Sequence, residues 1–331
     1  MALGILLATS GSISFAQDEP NIARTNHLPP AERRAIAYLA KEVPAWRPAN
    51  RCFSCHNNGD GARAIFVAAS VGVQLDTAVT KETSEFLAKP HLWDTNGPDG
   101  EFNDRQLARL QFANALAAAV AGGFVRDRQP LVAAAQILVT DQNKDGAWEF
   151  TGADEMGSPV TYGRPLATAI ALRVLRQADP QRFAHAIAAA ESWLSRLEPV
   201  SVLTAAAILH GLDKSTKESA VAQRARCLSM LRRSQTSDGG WGPYVNSAPE
   251  PFDTAVVLGA LATSTHDEWP DAIRKGRTFL EQTQHSDGSW PETTRPPGQE
   301  SYAQRISTSA WATIALLATR NIDHKGKPKT P

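Results

Sequence analysis

Gln142-Asn-Lys-Asp145-Gly146-Ala-Trp148, Gln235-Thr-Ser-Asp238-Gly239-Gly-Trp241 and Gln284-His-Ser-Asp287-Gly288-Ser-Trp290 follow one pattern, Q-x-x-D-G-x-W, with identical internal spacing. Four fixed positions recurring three times mark an internal repeat. Self-similarity at a period of tens of residues is the signature of stacked supersecondary units. The Asp-Gly pair supplies a turn, and the Trp supplies a large apolar plug behind it.

The flanking segments say what is being stacked. Each loop follows an amphipathic helix, such as Glu218 to Ser234 or Asp271 to Thr283. Each precedes a small, apolar helix, as in Leu166-Ala-Thr-Ala-Ile-Ala-Leu, Thr254-Ala-Val-Val-Leu-Gly-Ala-Leu and Ser309-Ala-Trp-Ala-Thr-Ile-Ala-Leu-Leu. A helix with a polar face belongs outside, and one apolar nearly all round belongs inside. An apolar pair near the end of each outer helix sets the register: Tyr38-Leu39, Phe86-Leu87, Ile137-Leu138, Trp193-Leu194, Met230-Leu231 and Phe279-Leu280. The spacing averages about 48 residues and predicts six helical hairpins. The expected fold is all-α, an α/α toroid over residues 28–322. An open superhelix of the same hairpins is the competing architecture.

The Gln and Gly-x-Trp of these loops resemble the QW repeat of squalene–hopene cyclases. The hairpins are similar to the wider superfamily that includes the protein prenyltransferases. The resemblance covers about residues 30–320 and implies a barrel whose like loops gather at one pole. It also implies an acid motif, Asp-x-Asp-Asp-Thr, whose middle Asp protonates a polyene. The nearest match is Glu250-Pro251-Phe252-Asp253-Thr254. Phe252 stands where the proton donor would be, and a phenyl ring has no proton to give. Asp253 has two readings, a buried acid or the cap of an inner helix beginning at Thr254. The zinc site of the prenyltransferases needs a Cys in the barrel. Cys227, on an outer helix, reads as a packed apolar residue instead. An enzymatic role therefore stays open, because neither inherited set of residues is complete.

Arg51-Cys52-Phe53-Ser54-Cys55-His56-Asn57-Asn58-Gly59 carries a different chemistry. C-x-x-C-H is the attachment signature of c-type haem. Two thiols at that spacing form thioethers to the haem vinyl groups, and the adjacent His becomes an axial iron ligand. The expectation is one covalent haem c on Cys52, Cys55 and His56, in a loop at residues 51–60. A redox dithiol, a local disulfide and half of a zinc site are the alternatives. The motif follows outer helix one (about Pro30 to Ala45) and precedes inner helix one (Arg63 to Val73), the slot held elsewhere by the repeated loop. Met156 in the third loop and His91 in the second are candidate sixth ligands to the iron. His91 also aligns with the repeat's Gln and so has a capping reading. His285 reads as solvated, and His210, within an inner helix, has two readings, one facing the cavity and one as a packed core histidine.

Residues 1–16 are expected to be an export signal: an apolar run from Ala2 to Ala8, then Ser14-Phe15-Ala16 as a small-x-small cleavage site. No Lys or Arg precedes that run. Residues 323–331 are expected to be a disordered tail. Lys plus Arg and Asp plus Glu both number 34, so the formal net charge is zero and no nucleic-acid stripe is expected. No later segment has the apolar length of a membrane span. The expected protein is periplasmic or otherwise exported, with electron transfer or redox sensing as its function and a redox partner protein. The alternative is an enzyme or binding protein for an apolar isoprenoid-like small molecule, in a cavity lined by Trp311 and Leu258.

Overall fold

The computed structural model describes residues 28–97, 105–150, 157–263, 269–293, 295 and 300–322. The expected export signal, tail and candidate ligand Met156 lie outside these residues. Twelve α-helices follow one another along the chain: α1 Pro30–Asn50, α2 Ala62–Ser70, α3 Thr77–Leu87, α4 Arg105–Ala121, α5 Gln129–Thr140 and α6 Gly163–Ala178, then α7 Ala184–Arg196, α8 Val202–Leu212, α9 Glu218–Ser234, α10 Pro251–Ala262, α11 Pro270–Thr283 and α12 Tyr302–Thr319. No strand occurs among the described residues. None of these helices is long and apolar enough to cross a membrane.

Odd-numbered helices lie outside and even-numbered ones inside. Each inner helix packs on the next, α2 on α4, α4 on α6, α6 on α8, α8 on α10 and α10 on α12, and α12 returns to α2. The ring of six hairpins is therefore closed. The register residues Leu39, Leu87, Leu138, Leu194, Leu231 and Leu280 are all buried, one on each outer helix. Two boundaries differ from expectation. α1 runs on through Pro44 and Pro48 to Asn50, and α2 stops at Ser70, where Gly72 adopts φ +95°.

The three repeated loops are built atom for atom alike. The indole N–H groups of Trp148, Trp241 and Trp290 each donate to a carbonyl ten residues back, that of Leu138, Leu231 and Leu280, all at 2.8 Å. Their backbone N–H groups donate to the hydroxyls of Thr168, Thr254 and Ser309 on the following inner helix. The Gln amide bridges two carbonyls, one in its own loop and one on the next outer helix. Gln142 reaches Gly146 and Ala186, Gln235 reaches Gly239 and Ala272, and Gln284 reaches Gly288 and Ala31. The third bridge joins the last hairpin to the first. The loop thus does inter-hairpin work that propensity alone does not reveal.

Each loop glycine lies at positive φ against the neighbouring outer helix. A Cβ on Gly288 (φ +94°) would meet the Arg34 carbonyl oxygen at 2.2 Å, whereas one on Gly72 (φ +95°) would meet nothing within 4 Å. The pair separates backbone strain from steric clash. Gly72→Ala should cost about 1–2 kcal/mol, the left-handed penalty alone. Gly288→Ala should cost clearly more and open the seam between α11 and α1. Urea unfolding of both variants checks this; equal midpoints would show that the seam does not hold the ring.

Candidate haem loop and the polar centre of the ring

The C-x-x-C-H segment replaces a repeated loop with a tight helical turn. Arg51 ends α1 in the left-handed conformation, φ 59°. Asn96, from the second loop, then clamps Phe53 from both sides: its Oδ1 accepts from Phe53 N at 2.8 Å and its Nδ2 donates to Phe53 O at 2.7 Å. The Phe53 ring stacks on Phe86 at 4.0 Å. Ser54 caps a π-helical turn over Cys55–Gly61, its hydroxyl accepting from His56 N and Asn57 N. Turns of this kind are rare and concentrate at functional sites.

The next two side chains anchor the turn to the ring. Asn58 accepts from Ser54 N and donates to Thr83 and to the Val43 carbonyl. Asn57 donates to the Glu42 carbonyl and to the Tyr302 hydroxyl, which in turn donates to the Glu42 carboxylate at 2.7 Å. Trp46 stacks on Tyr302, and its indole N–H is buried without a partner.

Cys52 and Cys55 are partly exposed and unbridged. His56 is partly buried, with Nδ1 2.9 Å from the Ser307 hydroxyl on α12. Among the described residues Nε2 has no partner. Burial lowers the His56 pKa to about 4, so the imidazole is neutral at pH 7. Among the described residues no group of three or more His, Cys, Asp or Glu is placed to hold a metal ion. His91 is exposed in a short 3₁₀ turn, Pro90–Thr95, beside a surface groove with Gln129, Val132 and Gln136. That groove is not at the cysteines, and His91 makes no cap to α3.

Asp60, four residues beyond His56, points into the ring. Its carboxylate accepts from Gln111 Nε2 at 2.9 Å and from the Tyr162 hydroxyl, with Arg63 4.0 Å away. Burial raises its pKa, opposed by Arg63 and by hydrogen bonds from Tyr162, Ser307 and Gln111. Sequence reasoning missed Asp60 and Ser307. The one signal for Ser307 is the polar run Ser307-Thr308-Ser309 ahead of the apolar half of its helix, all three residues fully buried.

Trp311 fills the centre of the toroid. Tyr162, Phe252 and His210 meet its ring edge-on at 5.9, 6.0 and 6.5 Å, and the Arg63 guanidinium lies 4.2 Å over it. Among the described residues, a cavity of about 10 Å³ lies beside it, lined by Arg63, Asn114, Leu166, Ala169, Ile170, Arg173, His210 and Trp311. His210 therefore faces this recess rather than packing in the core, with Nε2 on the Val256 carbonyl at 3.1 Å. Leu258 does not line it; it packs beneath Trp241 against Gly276. Phe252 is fully buried, with its ring against Trp311.

Asp253 faces the other way. It lies inside α10, which begins at Pro251 rather than Thr254, and it caps nothing. Its Oδ1 takes a 2.8 Å hydrogen bond from Arg295, with Glu250 close by. Burial is the larger effect and raises its pKa to about 7, Arg295 pulling it back and Glu250 adding to the rise.

The squalene-hopene cyclase C-terminal domain family matches residues 196–329. Three solved structures share the fold at low identity. A protein from Actinoplanes is 17% identical, with TM-score 0.57, over 88% of this chain and 98% of that one. The type II terpene cyclase MstE from Scytonema is 15% identical, with TM-score 0.53, over 88% and 98%. The ent-copalyl diphosphate synthase from Streptomyces platensis is 17% identical, with TM-score 0.52, over 86% and 50%. No curated protein matches the chain. The fold is thus the α/α toroid of the terpene cyclases.

Asp253 gives a pH test. Its folded pKa of about 7 lies above the usual 3.8, so between those values the folded state holds a proton that the unfolded state has lost. Its contribution to stability is fully present below about pH 4 and is lost as pH rises through about 7. Relative to Asp253→Asn, the wild type should lose a few kcal/mol of stability from pH 4 to 8, three pKa units being about 4 kcal/mol. Parallel unfolding curves of the two proteins across that range would disprove the assignment.

Proposed function

We propose that this chain is an exported c-type haem protein in which the toroid serves as a rigid platform for electron transfer or redox sensing. The observation that carries the reading is the state of the three motif side chains at one rim of the ring. Two partly exposed, unbridged thiols sit at C-x-x-C spacing beside an imidazole whose Nδ1 is engaged and whose Nε2 is free of described partners. Metal-binding imidazoles characteristically have the distal ring nitrogen fixed by a hydrogen bond, and here Ser307 would do that. The unpartnered Trp46 indole N–H adds a buried donor next to the motif.

Cys52 and Cys55 would hold the haem by thioether bonds, and His56 would ligate its iron. Bound there, the group would supply one-electron redox chemistry. The protein's own contribution is rigidity. Asn58, Asn57 and Asn96 tie the turn to α3, α1 and the second loop, so the histidine has little freedom to move. Expression with a cytochrome c maturation system should give a covalent haem band in a denaturing gel and a pyridine haemochrome spectrum. Cys52→Ala and Cys55→Ala should each lower covalent incorporation severely, and the double variant should abolish it. Wild-type protein without covalent haem under those conditions sinks the reading.

A second reading draws support from the fold rather than the motif. The Scytonema cyclase, which shares the toroid, has been solved with geranylgeranyl dihydroxybenzoate. By analogy of fold, this ring would bind an isoprenoid-like ligand. Phe252 in place of the acid favours binding over proton-initiated cyclisation. Geranylgeraniol titrated into the full-length protein should then quench tryptophan fluorescence saturably and be recovered unchanged. An unsaturable, linear response rejects it.

A further inference from the structure

The centre of the ring holds an unusual excess of unpaired donors. Arg63 Nε, Asn114 Nδ2 and Trp311 Nε1 are all buried, and none has a hydrogen-bond partner. Their residues are 2%, 1% and 4% exposed. All three line the same small cavity, together with Arg173. The Arg173 side chain makes one hydrogen bond in this region, to Asn114 Oδ1 at 3.3 Å. Leaving a buried donor unsatisfied costs about 1–3 kcal/mol each. Three such donors on one cavity, beside two guanidinium groups, describe a place prepared for an acceptor that carries negative charge.

We infer that this recess is an oxyanion-binding site, in which Arg173, Arg63, the Asn114 amide and the Trp311 indole N–H receive the carboxylate or phosphate end of a ligand.

Charge and shape agree with this. Asp60 is the acid nearest to Arg63, and it already accepts from Gln111 and Tyr162. Arg63 and Arg173 both border the recess, and their like charges repel. An anion between the two guanidiniums would relieve that repulsion. His210 is held neutral, its pKa lowered to about 4 by burial and by Arg173. A volume of about 10 Å³ admits about one water-sized group, so a single oxygen of the ligand's head seats among the donors and the rest of the head lies toward Arg173 at the open side. Arg173 itself is reached by solvent, which marks the mouth of the recess on the side of the C-terminal ends of the inner helices. That is the pole opposite the haem loop. One helical turn beyond Arg63, Asn114 and Trp311, the same helix faces carry Val67, Ala118 and Ile314, all partly buried and apolar. An apolar tail would lie along them.

The site stands without the haem reading, and it refines the second reading by giving the ligand an anionic head. Full-length protein is titrated with inorganic phosphate, acetate, octanoate and octanol, following tryptophan fluorescence and Tm. At least one of the three anions should bind saturably with unit stoichiometry and raise Tm, while octanol should not. Arg173→Gln, at a solvent-reached position, should weaken that binding at least tenfold without lowering the unliganded Tm. Trp311→Phe, which keeps a ring and deletes the N–H, should also weaken it. Octanoate tighter than acetate supports an amphiphilic ligand. Phosphate binding with octanoate no tighter than acetate keeps the oxyanion site and removes the isoprenoid reading. No anion binding, octanol equal to octanoate, or full affinity in Arg173→Gln overturns the inference.

Discussion

The closure of the ring depends on one seam, where the last hairpin meets the first. Gln284 joins its own loop at Gly288 to α1 at Ala31, and Gly288 packs against the Arg34 carbonyl so closely that no side chain fits. Below it, Arg277 on α11 forms a 2.8 Å ion pair with Glu32 on α1 and donates to Thr319 on α12. Both charges are almost fully buried. Such a pair adds little net stability, since desolvation offsets its attraction, yet leaving either charge alone is costly. It therefore specifies which helix closes the ring more than it strengthens the closure.

That closure sets the geometry of both candidate sites. Inner helices α2 and α12 become neighbours only because the ring closes, and Ser307 on α12 thereby reaches His56 before α2. The same closure carries Trp311 to the centre and sets Arg63 over its face. An open superhelix would leave His56 without its hydrogen bond and Arg63 without its aromatic partner. The two sites also share Asp60, which lies between the C-x-x-C-H turn and the polar recess and is bonded to α4 and to Tyr162. The turn and the recess are in this sense one continuous packed unit, although they open at opposite poles.

The centre of this toroid departs from what its resemblance implies. Among the described residues, aromatic rings and a buried polar network pack around Trp311 at its centre. Phe252 belongs to that packing, with its ring on Trp311, and the neighbouring acid is turned outward to Arg295.

The hairpin repeat was legible in the sequence because it rests on local chemistry. Asp-Gly turns, a tryptophan plug and the apolar register pairs recur at fixed spacing, and helical periodicity shows which helix faces inward. The Cys52-x-x-Cys55-His56 spacing was legible for the same reason, since its residues are adjacent in the chain. Tertiary structure decided everything that joins distant segments. The bridge from Gln284 to Ala31, the Ser307 bond to His56, the outward turn of Asp253 and the unpaired donors of Arg63, Asn114 and Trp311 all link residues far apart in the chain. Partners of that kind are set by how the ring closes, and a single sequence carries no local signal of where a side chain on one helix meets another.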